Sequence, residues 1–270
     1  MSLHDSEIKD KVKEAYSKAI KRDASSCCGS PDLSYARFTN YNPDDVRDLP
    51  QDSVQNSFGC GDPLSLANVK PGEVVLDIGS GAGLDSFFAS KLVGPSGKVY
   101  GLDMTQDMID RATQNASQAG ITNVSFILGE AESIPLPDST VDLVISNCVI
   151  NLSPDKPAVF SEIFRVLKPG GRIVVSDILS ESLPQEVMED EGFYVGCVAG
   201  AISEASYLSA ITKAGFNQPE LLSKTVYDES ALLTFTKGCV TDGESLYHKH
   251  KDQLVGKIAS AKIMAKKPAA

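Results

Sequence analysis

The stretch Val74-Val75-Leu76-Asp77-Ile78-Gly79-Ser80-Gly81-Ala82-Gly83 decides the fold of this 270-residue chain. Its first five residues are an apolar run broken only by one aspartate, which predicts a buried strand. The three glycines predict a tight turn, and Leu84–Val93 has the spacing of a helix. A strand, a glycine-rich turn and a helix in this order bring backbone N–H groups against a bound nucleotide. The stretch therefore predicts an α/β protein with a nucleotide-type ligand at the carboxyl edge of its sheet.

The same alternation of short β-branched runs and helical stretches continues along the chain. It predicts a parallel sheet built from βαβ units, with helices on both faces. We predict the other strands at Lys98–Asp103, Val124–Leu128, Val141–Asn147 and Arg172–Ile178, and the helices between them at Gln106–Ala119 and Ala158–Leu167.

The pattern divides the chain into four parts. They are residues 1–68, an N-terminal helix and a cysteine-bearing arm or lid; 69–178, the ligand-binding core; 179–240, substrate-side helices and the last sheet strands; and 241–270, a C-terminal helix or tail. In the last two parts we predict helices at Pro184–Val195, Glu204–Ala214 and Leu246–Lys267, and β-like runs at Glu220–Val226 and Ala231–Thr236.

Composition excludes several classes of partner. The net charge of −11 argues against nucleic acid, because phosphate binding needs clustered Lys and Arg. No apolar run is long enough to span a membrane, and the N-terminus lacks the features of a signal peptide, so we expect a cytoplasmic protein without a membrane partner. We also expect a monomer. Six cysteines in such a chain are expected to be reduced, and to be buried, metal-binding or catalytic.

The glycine spacing separates two kinds of ligand. In a dinucleotide-binding G-x-G-x-x-G loop the third glycine would stand where this chain has Leu84, so an oxidoreductase is the weaker interpretation. Asp103 ends the second predicted strand, where a carboxylate can accept hydrogen bonds from both ribose hydroxyls. The loop resembles the Asp-x-Gly-x-Gly-x-Gly loop of S-adenosylmethionine-dependent methyltransferases, which implies a Rossmann-like class I fold.

That resemblance implies a cofactor site. The Glu130 carboxylate is expected to face the exocyclic amine of adenine, with the Ala131 backbone nearby. The full cofactor-binding set is predicted to be Asp77, Gly79, Ser80, Gly81, Gly83, Asp103, Met104, Glu130, Ala131 and Asn147.

The cysteines carry a narrower resemblance. Asn147-Cys148-Val149-Ile150-Asn151-Leu152-x-Pro154-Asp155-Lys156 and Phe58-Gly59-Cys60-Gly61 resemble the signatures of the arsenite S-adenosylmethionine methyltransferases, and the similarity runs from about residue 23 to 216. In that family the counterparts of Cys148 and Cys197 hold trivalent arsenic. The resemblance implies that Cys60 and one of Cys27 or Cys28 complete or relay the thiolate set. The alternative is that Cys27 and Cys28 are redox partners of Cys60 rather than ligands.

Thiolates suit this chemistry because they are soft ligands, and three of them hold trivalent arsenic with its lone pair free. The implied partners are arsenite or an arsenic(III)–thiol conjugate, with a glutathione- or thioredoxin-like thiol reductant. Two other functions stay open at this point. One is a C-methyltransferase of quinone biosynthesis, which would not need the thiols, and the other is a soft-metal binder or sensor without turnover. For Cys239 we expect a structural role.

Overall fold

A computed structural model of the chain describes residues 5–21, 41–233 and 243–269. Cys27, Cys28 and Cys239 lie outside these residues. The described strands form one seven-stranded sheet with the order β3-β2-β1-β4-β5-β7-β6. The strands are β1 (Val74–Ile78), β2 (Lys98–Asp103), β3 (Val124–Leu128), β4 (Val141–Asn147), β5 (Leu167–Ser180), β6 (Asn217–Val226) and β7 (Ile258–Lys266).

The first five strands confirm the predicted parallel arrangement. β1 pairs in parallel with β2 and β4, β2 with β3, and β4 with β5. The predicted bounds of β1 to β4 agree with the structure, whereas β5 starts at Leu167 rather than Arg172. All five carboxyl ends therefore meet at one edge of the sheet, where open α/β folds bind their ligands.

Helices cover both faces of the sheet. Neighbouring residues of β1 point to opposite faces, so Val75 joins one buried cluster with Phe87 while Leu76 joins another with Phe160. The described helices include Asp5–Lys21 (α1), Pro43–Val46, Gln51–Gln55, Leu84–Val93, Gln106–Ala119, Lys156–Val166, Gln185–Met188, Glu191–Val195, Glu204–Lys213 and Gly243–Leu254, with 3₁₀ turns at Leu64–Leu66 and Ile150–Leu152. No helix in the described ranges is long and apolar enough to cross a bilayer.

The C-terminal part differs from the prediction. The helix predicted at Leu246–Lys267 ends at Leu254, and the chain then forms β7 between β5 and β6, antiparallel to both. Residues 241–270 are therefore not a tail, because they supply an internal strand of the same sheet. Alanine and lysine favour helix locally, but pairing with strands far back in the sequence decides the conformation.

Two smaller predictions after β5 are also wrong. The single helix predicted at Pro184–Val195 is two short helices, and the Asp190 side chain caps the second by accepting a hydrogen bond from the Phe193 N–H at 2.9 Å. Residues 229–233 are helical, so the described part of the β-like run Ala231–Thr236 is not a strand. The run Glu220–Val226 lies within β6, as predicted.

Candidate functional site

A cleft that is partly open to solvent lies at the carboxyl edge of β1, β2 and β4. Its position follows from the topology of the sheet. The predicted cofactor residues that line it are Gly79, Ser80, Gly81, Asp103, Met104, Ala131 and Asn147. The glycine loop and the end of β2 thus meet around one cavity.

Two features of the glycine loop fit a bound nucleoside. The Ser80 hydroxyl is buried and lines the cleft, yet it has no hydrogen-bond partner within the described parts of the protein. Gly81 has a φ of +51°, and a Cβ built there would meet nothing within 4 Å. A buried hydroxyl and an open backbone cradle in the cleft offer the polar contacts that a ligand needs. The residues present therefore fit the predicted cofactor.

Asp103 stands at the wall of the cleft in the position predicted for a ribose contact. Its two carboxylate oxygens accept hydrogen bonds from the Gly81 N–H at 3.0 Å and the Thr105 N–H at 2.9 Å. Burial raises the pKa of Asp103. Each oxygen still has a further lone pair, so the carboxylate can accept from the two ribose hydroxyls as well.

Two of the predicted cofactor residues shape the loop from behind and do not line the cleft. Asp77 is buried beneath the loop and accepts a hydrogen bond from the Ser86 hydroxyl at 2.7 Å. Burial, and next the charge of Asp85, raise the pKa of Asp77 well above its usual range. Gly83 is the N-cap of the helix Leu84–Val93, with a φ of +99°. Both residues stabilise the shape of the turn and do not line the cleft.

The structure places Glu130 differently from the prediction. Its carboxylate is not part of the cleft lining; it accepts hydrogen bonds from the amines of Lys9 at 2.8 Å and Lys13 at 2.9 Å, both in α1. These two hydrogen bonds lower the pKa of Glu130. Glu132 lines the cleft instead, 3.0 Å from the Lys9 amine. Sequence reasoning missed this because the partners lie more than a hundred residues away.

Helix α1 forms part of the wall of the cleft. Lys9 and Tyr16 of this helix line the cavity. The Tyr16 ring packs edge-on against Phe58, with 5.5 Å between ring centroids, and its hydroxyl donates a hydrogen bond to the Val195 carbonyl at 3.1 Å. Helix α1 therefore contacts both the cleft and the segment that precedes Cys197.

Reversing the charge of Lys9 tests whether α1 closes the cofactor site. We expect Lys9→Glu to raise the dissociation constant for S-adenosylmethionine about threefold to tenfold, because it replaces two ion pairs by like-charge repulsion. Lys18→Glu is the matched control, since Lys18 pairs with Glu14 of the same helix. Calorimetric titration of both variants gives the comparison. Equal affinities in the two variants would show that α1 does not cover the bound cofactor.

The structure brings three of the predicted cysteines together. Cys60 and Cys148 form a disulfide with 5.8 Å between their Cα atoms, and Cys148 lines the cleft. Cys197 is buried beside them, and its thiol donates a hydrogen bond to the Cys148 carbonyl at 2.6 Å. The expectation of reduced cysteines is wrong for this pair, and the partner of Cys60 is Cys148 rather than Cys27 or Cys28. The two cysteines are far apart in the sequence, so the sequence alone does not show that folding brings their sulfurs within bonding distance.

The backbone at both buried cysteines is strained. Cys148 has a φ of +58° and Cys197 a φ of +65°, in the left-handed region that non-glycine residues rarely adopt. Such conformations cost about 1–3 kcal/mol each and cluster at functional sites. The described residues hold no group of three or more His, Cys, Asp or Glu side chains arranged as a metal site. Thiolates bind soft ions and the sulfurs of a disulfide are not thiolates, so binding by all three sulfurs requires the disulfide to open.

Sequence reasoning missed two polar residues next to the cleft. Asp85 lines it and accepts hydrogen bonds from the Tyr41 hydroxyl and from the Asn147 amide. Burial raises the pKa of Asp85 to about 6, and burial also raises that of Tyr41. Asp85 comes two positions after the last glycine of the loop, a signal that was available, whereas nothing local marks Tyr41.

Comparisons with known proteins agree with this geometry. The family model described as a methyltransferase domain matches residues 69–227. The chain is 38% identical over 252 residues to an arsenite methyltransferase of Halobacterium salinarum, covering 93% of this chain and 60% of that one. A demethylmenaquinone methyltransferase of Geobacillus is 37% identical over 113 residues, covering 42% of this chain and 48% of that one. The chain thus spans about 60% of the length of the archaeal relative and about half that of the bacterial one.

A solved structure supports the same family assignment. CrArsM, an arsenic(III) S-adenosylmethionine methyltransferase from Chlamydomonas reinhardtii, matches with a TM-score of 0.68 and 32% identity. The match covers 90% of this chain and 75% of the algal chain. On these grounds the chain belongs to the methyltransferase-domain family and, within it, to the arsenic(III) S-adenosylmethionine methyltransferases.

Proposed function

We propose that this protein binds S-adenosylmethionine in the cleft and transfers its methyl group to trivalent arsenic held by cysteine thiolates, giving methylated arsenicals. The observation that carries the proposal is the convergence of Cys60, Cys148 and Cys197 at the carboxyl edge of the sheet, with Cys148 in the cofactor cleft. Cys27 or Cys28 is an alternative third ligand. When bound, S-adenosylmethionine supplies the electrophilic methyl group that the arsenic lone pair takes up.

One set of residues would bind the cofactor, and the cysteines would bind the substrate. Gly81, Ser80 and Asp103 would hold the nucleoside through the backbone cradle, the buried hydroxyl and the carboxylate described above. The thiols would exchange for the hydroxyls of arsenous acid, each exchange forming one As–S bond and releasing one water. Three sulfurs then fix the arsenic atom and leave its lone pair exposed, so no acid–base side chain is needed at the arsenic.

The disulfide implies a further partner. A thiol reductant must supply two electrons and two protons to Cys60 and Cys148 before both sulfurs can bind arsenic. We propose a glutathione- or thioredoxin-like reductant for this step, which accords with a cytoplasmic location. The acceptor is arsenite itself or its conjugate with such a thiol.

The quinone methyltransferase alternative has less support. The similarity to that class extends over 113 residues, and Cys60 and Cys197 are 137 positions apart (197 − 60), so it cannot include both. A quinone acceptor also gives no reason for two cysteines with a left-handed backbone. The fit of the cleft to a nucleoside speaks against a binder or sensor that lacks the cofactor.

Incubation of the protein with arsenite, S-adenosylmethionine and a thiol reductant tests the function directly. We expect methylated arsenic species, separated by chromatography and identified by mass spectrometry, to accumulate in step with S-adenosylhomocysteine. Omitting the reductant should stop the reaction, because Cys60 and Cys148 then remain joined. Absence of methylated arsenic with all components present would contradict the proposal. Methylation of a lipid quinone instead would favour the quinone methyltransferase alternative.

A further inference from the structure

The buried side-chain amide of Asn147 holds the loop that carries Cys60. Its Oδ1 atom accepts hydrogen bonds from the backbone N–H of Cys60 at 3.0 Å and of Gly61 at 3.2 Å. Its Nδ2 atom donates to the Gly61 carbonyl at 2.6 Å. Three hydrogen bonds from one side chain thus fix the backbone around Cys60, and they come from the residue next to Cys148.

The opposite side of the amide is anchored in a buried network. The Asn147 Nδ2 atom lies 3.1 Å from the Asp85 carboxylate and 3.2 Å from the Tyr41 hydroxyl, which itself donates to Asp85. An amide has two N–H donors and two acceptor lone pairs, and all are engaged by the protein. The network therefore fixes the orientation of Asn147 and leaves it no capacity for a contact with the cofactor.

The loop lies directly on the amide. A Cβ built on Gly59 would stand 2.3 Å from the Asn147 Nδ2 atom, so only glycine allows this approach. On the side of β7, the Ser260 hydroxyl donates to the Cys60 carbonyl at 3.1 Å. Cys60 is thus held from two strands of the sheet.

From this geometry we infer that Asn147 is a positioning residue for the Cys60 thiol rather than a cofactor ligand. Its amide keeps the two thiols at a high effective concentration by fixing the loop against the end of β4. The consequence for arsenic rests on the proposed function, since a fixed Cys60 completes the thiolate set with Cys148 and Cys197. The pairing of Cys60 with Cys148 does not depend on arsenic.

The equilibrium between the two thiols and glutathione measures this effective concentration. One oxidised glutathione converts the two thiols to a disulfide and leaves as two reduced glutathiones, so electrons and protons balance. We expect Asn147→Ala in the full-length chain to lower the equilibrium constant for the disulfide at least about tenfold, since several hydrogen bonds to the loop are lost. Alkylation and mass spectrometry of the Cys60 and Cys148 peptides give the populations.

Two further variants make the experiment decisive. Asn123→Ala removes another multiply bonded amide, which joins Ser90 and Gly94 near the start of β3, and should leave the equilibrium constant unchanged. Gly59→Ala keeps the amide of residue 147 but places a methyl group against it, so that the loop and the amide must move apart, and it should lower the constant as Asn147→Ala does. An unchanged constant in Gly59→Ala or Asn147→Ala, or an equal fall in Asn123→Ala, would overturn the inference. A wild type that makes no methylated arsenic, but shows this pattern, would remove the proposed function and leave the role of Asn147 intact.

Discussion

Cys148→Ser is expected to lower methyl transfer to arsenite by more than about a hundredfold, because loss even of groups that merely support metal ligands costs about 10–100-fold. A serine hydroxyl is a hard ligand and does not replace a thiolate at a soft ion. Cys148 is the cysteine in the cofactor cleft, and its carbonyl accepts the hydrogen bond from Cys197. The affinity for S-adenosylmethionine should change little, since the glycine loop and Asp103 are untouched. Single-turnover rates and calorimetric titration measure the two quantities separately.

Cys239→Ser is the matched control for this experiment, since its sequence context predicts only a structural role. Both variants are assayed with excess thiol reductant, so that loss of the disulfide with Cys60 is not itself the cause of any change. Wild-type activity in Cys148→Ser would refute arsenic ligation by this residue. Loss of cofactor affinity together with activity would point to a collapsed cleft instead.

The strands that form the cofactor cleft could be predicted from the sequence, because the patterns that identify them are local. Strands β1 and β4 are largely apolar on both faces, so each forms a nearly continuous apolar run, and Gly79 marks the end of β1. The cleft follows from the topology of such a sheet rather than from any long-range contact. Asp103 and the glycine loop could therefore be placed at its edge from the sequence alone.

The side-chain partners of Glu130 and Asn147 could not be predicted from the sequence, because they come from distant segments. The sequence places Glu130 at the end of β3, but it does not show that α1 brings Lys9 and Lys13 to that carboxylate. Likewise, Asn147 could be located at the end of β4, yet its partners are a loop and a tyrosine from the N-terminal part of the chain. A motif gives the position of a residue along a strand. The hydrogen-bond partners of its side chain depend on the other segments that pack against that strand.

Strand β7 shows the same limit for secondary structure. Its sequence, Ile258-Ala259-Ser260-Ala261-Lys262-Ile263-Met264-Ala265-Lys266, is rich in alanine and lysine and follows a helix, so a continued helix was the local expectation. The strand pairs with β5 from Arg172–Lys266 to Ser180–Ile258, and with β6 on its other side. These partners lie about 30 to 95 residues back in the sequence, beyond the reach of any periodicity argument.

A chain that ends at Gly256 is expected not to fold, because it lacks β7. The removal of β7 leaves β5 without its neighbour, separates β6 from the sheet and takes the side chains of Ile258, Ala261 and Ile263 out of the buried clusters. Domains are stable by only about 5–15 kcal/mol, and loss of a central strand exceeds that margin. Circular dichroism during heating should show no cooperative transition, whereas a chain that ends at Pro268, which keeps all of β7, should unfold like the full-length protein. Ala261→Pro, which places a proline inside this central strand, should destabilise the fold by about 3 kcal/mol or more. A cooperative transition in the shortened chain would mean that β7 is dispensable to the sheet.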